Sequence, residues 1–330
     1  MKKRLIALLA VLSIAAVFVG CTQETPVVET PPTGVNEEEP GDDIETPQEE
    51  PAEEPVEKIS VATTINPVDQ MVRIIGGNRV ETWKIVPEGS DAHDFEPTIK
   101  DMGRLTEANL LFMNGLDMEP WVDKAVENSG NTELAIVDLS EGIDLIELNE
   151  GEDEDEDEDD HDHGEYDPHI WMSIDSLLVM AENVKAELSA AYPEAAEDFE
   201  KTFEAFNSEA MAMKEEYQEK FEAYNGRAFV TGHAAFGYMT RELGLVQKSV
   251  EGPFQEGEPT PKKLQDLINF VKTEGITTIF LEEAASPKVS ETLARETGGE
   301  TVAINPLEVS GELLPSLKET YEKVLESFNR

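Results

Sequence analysis

The chain has 330 residues, of which 72 are Asp or Glu and 25 are Lys or Arg, so its formal net charge is −47. Because nucleic-acid binding depends on a basic surface, this charge argues against a nucleic-acid partner. The chain is long enough for two domains of common size, but its single Cys excludes an intrachain disulfide. The sequence also lacks a phosphate-loop motif and a His-Glu-x-x-His motif, so neither an ordinary P-loop ATPase nor a zincin is expected.

The chain opens with the pattern of a secretory signal. Basic residues precede an apolar run over residues 5–19, as in signal peptides. Such a run would form about 23 Å of helix, which is shorter than the ~30 Å hydrocarbon core, so a signal is favoured over a permanent span. The run ends at Cys21, in a segment that resembles the cleavage box of bacterial lipoproteins. We expect residues 1–20 to be a lipoprotein signal peptide and Cys21 to carry the lipid; the alternative is a free thiol.

Residues 21–57 are acidic and rich in Pro and Thr. Between residues 22 and 58 there are 13 carboxylates and one Lys, with almost no large apolar side chains. Such a segment cannot bury enough apolar surface to offset the cost of ordering it. We predict a disordered tether, extended by its Pro residues and its charge, that holds the folded part away from the membrane.

Short apolar runs then alternate with helical patterns. The predicted strands are Ile59–Ile65, Thr82–Val86, Leu110–Asn114 and Ala135–Leu139. The predicted helices are Pro67–Ile75, Thr98–Ala108, Trp121–Asn128 and Ser173–Ala190. This alternation is typical of an α/β fold with a largely parallel sheet, so residues 58–192 are predicted to form an N-terminal lobe.

A long helix is predicted over residues 193–224. Its apolar residues recur every three or four positions and form one stripe. They are Phe199, Phe203, Phe206, Ala210, Met213, Tyr217, Phe221 and Tyr224. About 30 residues of helix measure roughly 45 Å, more than the width of a small domain, so this helix is expected to link two lobes.

A second strand and helix series follows over residues 225–330. Its predicted elements are Ala228–Thr231, Leu245–Val250, Pro261–Thr273, Ile276–Leu281, Pro287–Thr297 and Thr301–Ile304. The predicted fold class is α/β, with two lobes that each contain a mostly parallel sheet flanked by helices, joined by one long helix.

Three of the five histidines lie beside predicted regular elements. His93 follows the strand Thr82–Val86, His233 lies just past the end of the strand Ala228–Thr231, and His169 precedes a helix. Ligands of open α/β sheets bind at the carboxyl ends of strands, and imidazole is the commonest side-chain ligand of borderline divalent metals. Each histidine alone is more often a hydrogen-bonded structural residue. Together they indicate a metal site, provided that they converge.

Four segments together resemble the cluster A-I substrate-binding lipoproteins of ABC importers for zinc and manganese. These segments are residues 90–98, 167–173, 229–245 and 279–307. The resemblance implies that His93 in His-Asp-Phe-Glu-Pro, His169 in Asp-Pro-His-Ile-Trp and His233 in Thr-Gly-His are metal ligands. The position of His233 is His in zinc-type members and Glu in manganese-type members. The resemblance therefore favours Zn²⁺, with Mn²⁺ as the alternative.

The resemblance also implies a fourth ligand. Residues 305–308 read Asn-Pro-Leu-Glu, as in zinc-type members, so Glu308 is the predicted ligand; the alternative is a solvated Glu308, with water or a residue beside His93 completing the site. Three imidazoles and one carboxylate suit tetrahedral zinc, whereas manganese prefers a site with more oxygen ligands.

Four protein ligands leave no position for an activated water, which favours a binding protein over an enzyme. Because ligating imidazoles must be neutral, affinity is expected to fall below about pH 6.5.

The resemblance implies an extracytoplasmic high-affinity zinc receptor, lipid-anchored to the outer face of the cell membrane. Such a receptor would deliver Zn²⁺ to an ABC permease driven by a separate ATPase subunit, and we expect it to be a monomer. The rival hypotheses are a manganese receptor of the same family and an adhesin-like surface metal-binding lipoprotein. A metallohydrolase is a third class, for which the sequence supplies no general base in a recognisable setting.

An acidic run precedes His169, within a predicted loop over residues 150–166. Zinc-type members of the family often carry a His-rich loop at this place. The run predicts a weak, fast-exchanging collector of divalent ions, with a merely solvated acidic loop as the alternative. Its candidate ligands are His161, His163, Asp159, Asp160 and Asp162.

Other acidic residues lie near the predicted ligands. Asp94, Glu96 and Asp167 could accept N–H bonds from the imidazoles or serve only local turns. Glu258 and residues 282–283 fall in segments that resemble the family, and we expect them to be structural or to lie at the permease contact.

Overall fold

A computed structural model describes residues 58–90, 92–93, 95–148, 164–255, 260–282 and 287–330. These residues form two four-stranded sheets. The first sheet contains β1 (Ile59–Thr63), β2 (Val80–Lys84), β3 (Leu110–Met113) and β4 (Ala135–Asp138). The second sheet contains β5 (Ala228–Thr231), β6 (Val246–Ser249), β7 (Thr278–Glu282) and β8 (Glu300–Ile304). All neighbouring strands are parallel.

The two sheets share one topology. Their strand orders are β2-β1-β3-β4 and β6-β5-β7-β8. In each sheet the chain therefore adds strands first on one side and then on the other, which creates a switch point between β1 and β3 and between β5 and β7. Open α/β sheets bind ligands beside the carboxyl ends of strands at such points. His233 follows β5, and Glu282 is the last residue of β7.

Helices flank both sheets. They are α1 (Asn66–Gly76), α2 (Ile99–Leu105), α3 (Val122–Ser129), α4 (Ile174–Ala191), α5 (Ala196–Phe221), α6 (Gly237–Leu243), α7 (Pro261–Glu274), α8 (Pro287–Thr297) and α9 (Leu313–Phe328). Side-chain caps fix several helix starts. Ser173 accepts the backbone N–H of Ser176 at the start of α4, and Thr98 forms a capping box with Asp101 at the start of α2.

Helix α5 continues into 3₁₀ turns at both ends, Pro193–Ala195 and Glu222–Tyr224, so helical structure covers the predicted 193–224. Most of the predicted stripe is buried, whereas Phe203 and Tyr224 are half-buried. The α-helical part measures about 39 Å. It packs against α1 and α4 of the first half and against α6 and α9 of the second. The predicted fold class, with one long helix joining two sheet-containing halves, is confirmed.

The main apolar core runs through both halves. Phe112 and Trp171 from the first half and Phe236 and Phe280 from the second belong to one cluster of buried residues. A smaller cluster lies where α7 and α8 cover the second sheet. Burial of this apolar surface is the dominant favourable term in folding, and it fixes the two halves against each other.

Helices α6 and α9 were not among the predicted elements. Helix α9 buries a stripe against the core, formed by Leu313, Leu314, Leu317, Tyr321 and Val324. The ring of Tyr321 lies 5.1 Å from the ring of Tyr217 on α5. The helical spacing of this stripe was present in the sequence and would have predicted α9.

Some predicted ends were also wrong by a few residues. Strand β2 begins at Val80, and its predicted last residue, Val86, lies beyond the strand but still donates its N–H to the carbonyl of Thr64, at 3.0 Å. Strand β7 runs to Glu282, one residue beyond the predicted end. The predicted signal peptide, Cys21 and the tether over residues 21–57 lie outside the described residues. Within the described ranges, no helix is both long enough and apolar enough to cross a membrane.

Candidate metal centre

The four predicted metal ligands lie together in the fold. One ligand atom from each of His93, His169 and Glu308 lies within 4.8 Å of the others. The Nε2 atoms of His169 and His233 lie 3.2 and 3.1 Å from the same atom, Oε1 of Glu308. The ring centroid of His169 is 5.7 Å from that of His93 and 5.3 Å from that of His233. Residues from both halves of the chain therefore form one cluster.

Regular elements place each of these side chains. His93 lies in the loop between β2 and α2, and His169 lies before the turn that leads into α4. His233 follows β5, and Glu308 lies between β8 and α9. Three of the four thus come from loops that follow parallel strands, which is where this kind of sheet presents ligand-binding side chains.

The cluster is removed from water. His169, His233 and Glu308 are 0%, 1% and 2% exposed, whereas His93 is half-buried. An ionised carboxylate is costly to bury without a positive partner. The alternative of a solvated Glu308 is therefore wrong, because this side chain lies inside the protein among imidazoles.

The charge of Glu308 depends on its imidazole neighbours. Burial alone would raise its pKa, but His233 and His169 hold the pKa of Glu308 well below its usual range. Its other oxygen, Oε2, is buried and has no hydrogen-bond partner among the described residues. Buried polar atoms normally have partners. An ionised carboxylate with one unpartnered oxygen is therefore suited to bind a cation.

Asp167 orients the ring of His169. Nδ1 of His169 lies 2.8 Å from Oδ1 of Asp167, and that oxygen also accepts the backbone N–H of His169, at 3.0 Å. This contact holds a proton on Nδ1 and directs Nε2 towards Glu308. Burial lowers the pKa of His169, but the hydrogen bond with Asp167 and the nearby carboxylate of Glu308 outweigh it and raise this pKa to about 9. A Cβ atom at Gly237 would lie 2.5 Å from Oδ2 of Asp167, so a glycine lets α6 approach this carboxylate.

Glu282 contacts His233 much as Asp167 contacts His169. Its carboxylate accepts the backbone N–H of Gly232, at 3.0 Å, and of His233, at 3.2 Å. Oε1 of Glu282 also lies 3.7 Å from Nδ1 of His233. Burial raises the pKa of Glu282 to about 7. The sequence assigned Glu282 to a structural or permease-contact role, and the structure places it in contact with a predicted ligand.

His93 is the ligand candidate nearest to solvent. Burial lowers its pKa to about 4, with Glu308 opposing this shift and the neighbouring His169 and His233 adding to it. The imidazole of His93 is therefore neutral at pH 7, the form that can bind a metal. The ring of Phe254, from the second half, lies edge-on to it at 5.9 Å.

The other flanking acids have different positions. Glu96 is exposed. Asp94 and Glu258 lie outside the described residues. The candidate weak ligands in the predicted acidic loop, residues 159–163, also lie outside them. Of the two described acids that could accept an imidazole N–H bond, Asp167 contacts His169, whereas Glu96 is exposed.

A buried network behind His169 was missed by sequence reasoning. The side-chain amide of Asn114 donates to the carbonyl of Pro168, at 2.9 Å. Glu119 accepts the backbone N–H groups of Asn114 and Gly115, at 2.9 and 3.1 Å. Burial raises the pKa of Glu119 to about 7. Glu119 belongs to no motif or periodic pattern, so nothing in the sequence singled it out.

This fold and site match a known family. The model of the family described as zinc-uptake complex component A, periplasmic (ZnuA), matches residues 61–329. A relative in Treponema pallidum is 33% identical over 276 residues, covering 83% of this chain and 86% of that protein. The zinc-binding lipoprotein AdcA of Streptococcus pneumoniae serotype 4 is 31% identical over 272 residues, covering 82% of this chain and 54% of AdcA. The chain thus matches about half the length of AdcA.

A solved structure shows the same likeness. The laminin-binding protein Lmb of Streptococcus agalactiae is described as bifunctional, with adhesin and metal-transporting activity. It superposes with a TM-score of 0.73 at 26% identity, covering 82% of this chain and 99% of Lmb.

Proposed function

Because the chain belongs to the family of zinc-uptake complex component A, periplasmic, we propose that it is an extracytoplasmic zinc receptor that delivers Zn²⁺ to an ABC importer. Its role is to bind and release an ion, and not to catalyse a reaction. Its partners are a membrane permease and a separate ATPase subunit. We propose that the receptor is a monomer, anchored through a lipid at Cys21 and held off the outer face of the membrane by residues 21–57.

One observation carries this proposal most directly. Glu308 is buried between His169 and His233, 3.2 and 3.1 Å from their Nε2 atoms, with Oε2 unpartnered among the described residues. Together with His93, these side chains offer three imidazole nitrogens and one carboxylate, which suits tetrahedral Zn²⁺. Glu308 supplies the negative charge, and Asp167 holds the tautomer of His169 that leaves Nε2 available.

We also propose the following domain organisation. Residues 58–192 and 225–330 form two α/β lobes, and residues 193–224 form the helix that links them. The ligands come from both lobes, so Zn²⁺ binds between them. The loop over residues 150–166 would collect divalent ions weakly through His161 and His163 and the neighbouring carboxylates, before transfer to the tight site.

The same site disfavours manganese. Mn²⁺ prefers carboxylate and water oxygens, whereas three of the four side chains here are imidazoles. A competitive titration of the purified protein with zinc and manganese tests this point. We expect one tight zinc equivalent per chain that manganese does not displace at equal concentration. A preference for manganese would overturn the zinc proposal.

An adhesin role is the second candidate, and the similarity to Lmb favours it. It predicts saturable binding of the purified protein to immobilised laminin. The transport role predicts that cells without the gene grow poorly when zinc is scarce. Growth restored by the parent gene and not by His233→Ala would support this role. Both results together would assign both roles.

A further inference from the structure

The segment that carries Glu308 is held by a side chain from the other half of the chain. Asn66, the first residue of α1, donates through Nδ2 to the carbonyl of Leu307, at 2.9 Å, and to the carbonyl of Gly311, at 3.2 Å. These partners are 241 and 245 residues away in the sequence. Asn66 is 5% exposed, so water competes little for these two bonds. One amide therefore fixes the backbone on both sides of Glu308.

The residue before Glu308 has an unusual backbone conformation. Leu307 has a φ of +69° and is fully buried. A residue other than glycine is strained in this left-handed region and remains there only if its surroundings hold it. Its N–H donates to the side chain of Asn305, at 2.7 Å, and Asn305 also donates to the carbonyl of Ser310, at 3.1 Å. These local bonds shape the turn but do not attach it to the rest of the molecule.

Trp171 supplies the other attachment. Its Nε1–H donates to the carbonyl of Pro306, at 2.6 Å, and its ring lies 5.2 Å from that of His169. Trp171 also comes only two residues after His169. The segment is therefore bonded to the first half at the carbonyls of Pro306, Leu307 and Gly311, which bracket Glu308.

We propose that Asn66 is a positioning residue for Glu308. By bonding the carbonyl of Leu307 it holds the left-handed conformation that aims the Glu308 carboxylate at His169 and His233. The inference rests on the proposed function, in which Glu308 binds Zn²⁺. Loss of the Asn66 amide would release the segment, so that Glu308 spends less time in the binding geometry and zinc dissociates faster.

Asn131 provides a matched control. Its side-chain amide also donates to two backbone carbonyls, those of Leu105 and Ala108, both at 2.9 Å. These carbonyls belong to the end of α2 and the turn that follows it, and not to the ligand cluster. Asn66→Ala and Asn131→Ala each remove two bonds from a side-chain amide to backbone carbonyls, and Asn131→Ala also removes the bond from the N–H of Glu133 to Oδ1 of Asn131, at 3.2 Å. Both variants are expected to lower the unfolding temperature of the metal-free protein.

The experiment measures zinc affinity of the full-length protein by competition with a chelator, together with the zinc dissociation rate. Asn66→Ala is expected to weaken zinc binding by about 10- to 100-fold, the usual cost of removing a group that orients a ligand. Asn131→Ala is expected to change it by less than about twofold. Asn66→Leu, which keeps the approximate size of the side chain and removes the donor without adding a charge, should behave like Asn66→Ala and serves if the alanine variant does not fold.

A double-mutant cycle separates positioning from a general loss of structure. If Asn66 acts through Glu308, Asn66→Ala should cost little further affinity, less than about twofold, once Glu308→Ala is present. An equal loss of zinc affinity in the parent and in the Glu308→Ala background, or an unchanged affinity in Asn66→Ala, would overturn the inference. Failure of the proposed function is a different result, because the parent would then bind no zinc tightly or Glu308→Ala would bind it as well as the parent.

Discussion

Nδ1 of His169 lies 2.8 Å from Oδ1 of Asp167, the residue two positions before it in the chain. The contact is buried, and it determines which nitrogen of the imidazole keeps its proton when the ring is neutral. The remaining nitrogen, Nε2, is directed at Glu308. The same contact helps to raise the pKa of His169 to about 9, which has a direct consequence for zinc binding.

Zinc binding should release a proton from His169. Because the pKa of this imidazole is raised to about 9, the ring is charged at pH 7.5 and must lose the Nε2 proton to bind a metal. We expect release of about one proton per zinc and an affinity that rises about tenfold per pH unit up to pH 9. Calorimetry in two buffers of different ionisation enthalpy measures this proton directly. Equal enthalpies in both buffers would contradict it.

This dependence begins at a higher pH than the sequence predicted. An ordinary imidazole pKa placed the loss of affinity below about pH 6.5, whereas contact with Asp167 and Glu308 extends it towards pH 9. His93 behaves in the opposite way, because its pKa is lowered to about 4 and it stays neutral. An affinity that does not change between pH 6.5 and 9 would show that His169 is not charged in the metal-free protein.

Replacing Asp167 by Asn should weaken zinc binding by about 10- to 100-fold, because the amide cannot hold the Nδ1 proton of His169 as a carboxylate does. The pKa of His169 should fall in this variant, so its affinity should depend less steeply on pH. Asp101→Asn is the control, since Asp101 is the exposed capping-box carboxylate of α2 and is hydrogen-bonded to Thr98. A similar loss in both variants would point to a general electrostatic effect.

Glu119 should make the metal-free protein less stable as pH rises. Its folded pKa is raised by burial to about 7, above the ordinary value of 4.5. The folded state therefore binds the extra proton between these pH values, and the free energy of unfolding falls from about pH 4.5 to pH 7. Urea unfolding across this range should show a smaller fall for Glu119→Gln than for the parent. The exposed Glu107→Gln should match the parent, and a parallel fall in Glu119→Gln would exclude Glu119 as the cause.

Deleting residues 152–164 tests the acidic loop. The four candidate ligands of the tight site all lie outside this segment, so the deletion should remove weak additional metal binding and keep one tight zinc equivalent. Equilibrium dialysis with excess zinc counts both classes of site. Loss of the tight equivalent would mean that the loop supplies a ligand.

The sequence predicted the fold well where periodicity and turn residues agree. The predicted bounds of β5 and α8 match the structure. A short apolar run defines β5, and a Pro at the first position defines the start of α8. The predicted α2 is longer than the observed helix, since Thr98 acts as the N-cap and the helix ends at Leu105. The four ligand candidates were found through motifs, and the structure brings them together.

The contacts that surround these residues were not predictable in the same way. Glu282 and His233 are 49 residues apart, and Asn66 and Leu307 are 241 residues apart. Both contacts depend on how separate strands and the two halves face each other. No local sequence pattern predicts that tertiary arrangement. The left-handed conformation of Leu307 is likewise imposed by tertiary bonds, because leucine itself disfavours it.

X-ray absorption at the zinc edge of the protein loaded with one equivalent identifies the atoms that bind the ion. We expect a four-coordinate zinc with three imidazole nitrogens and one carboxylate oxygen at about 2.0–2.2 Å, and the loss of one imidazole in His233→Ala. A first shell made mainly of oxygen, or a spectrum unchanged in His233→Ala, would contradict a site built from His93, His169, His233 and Glu308.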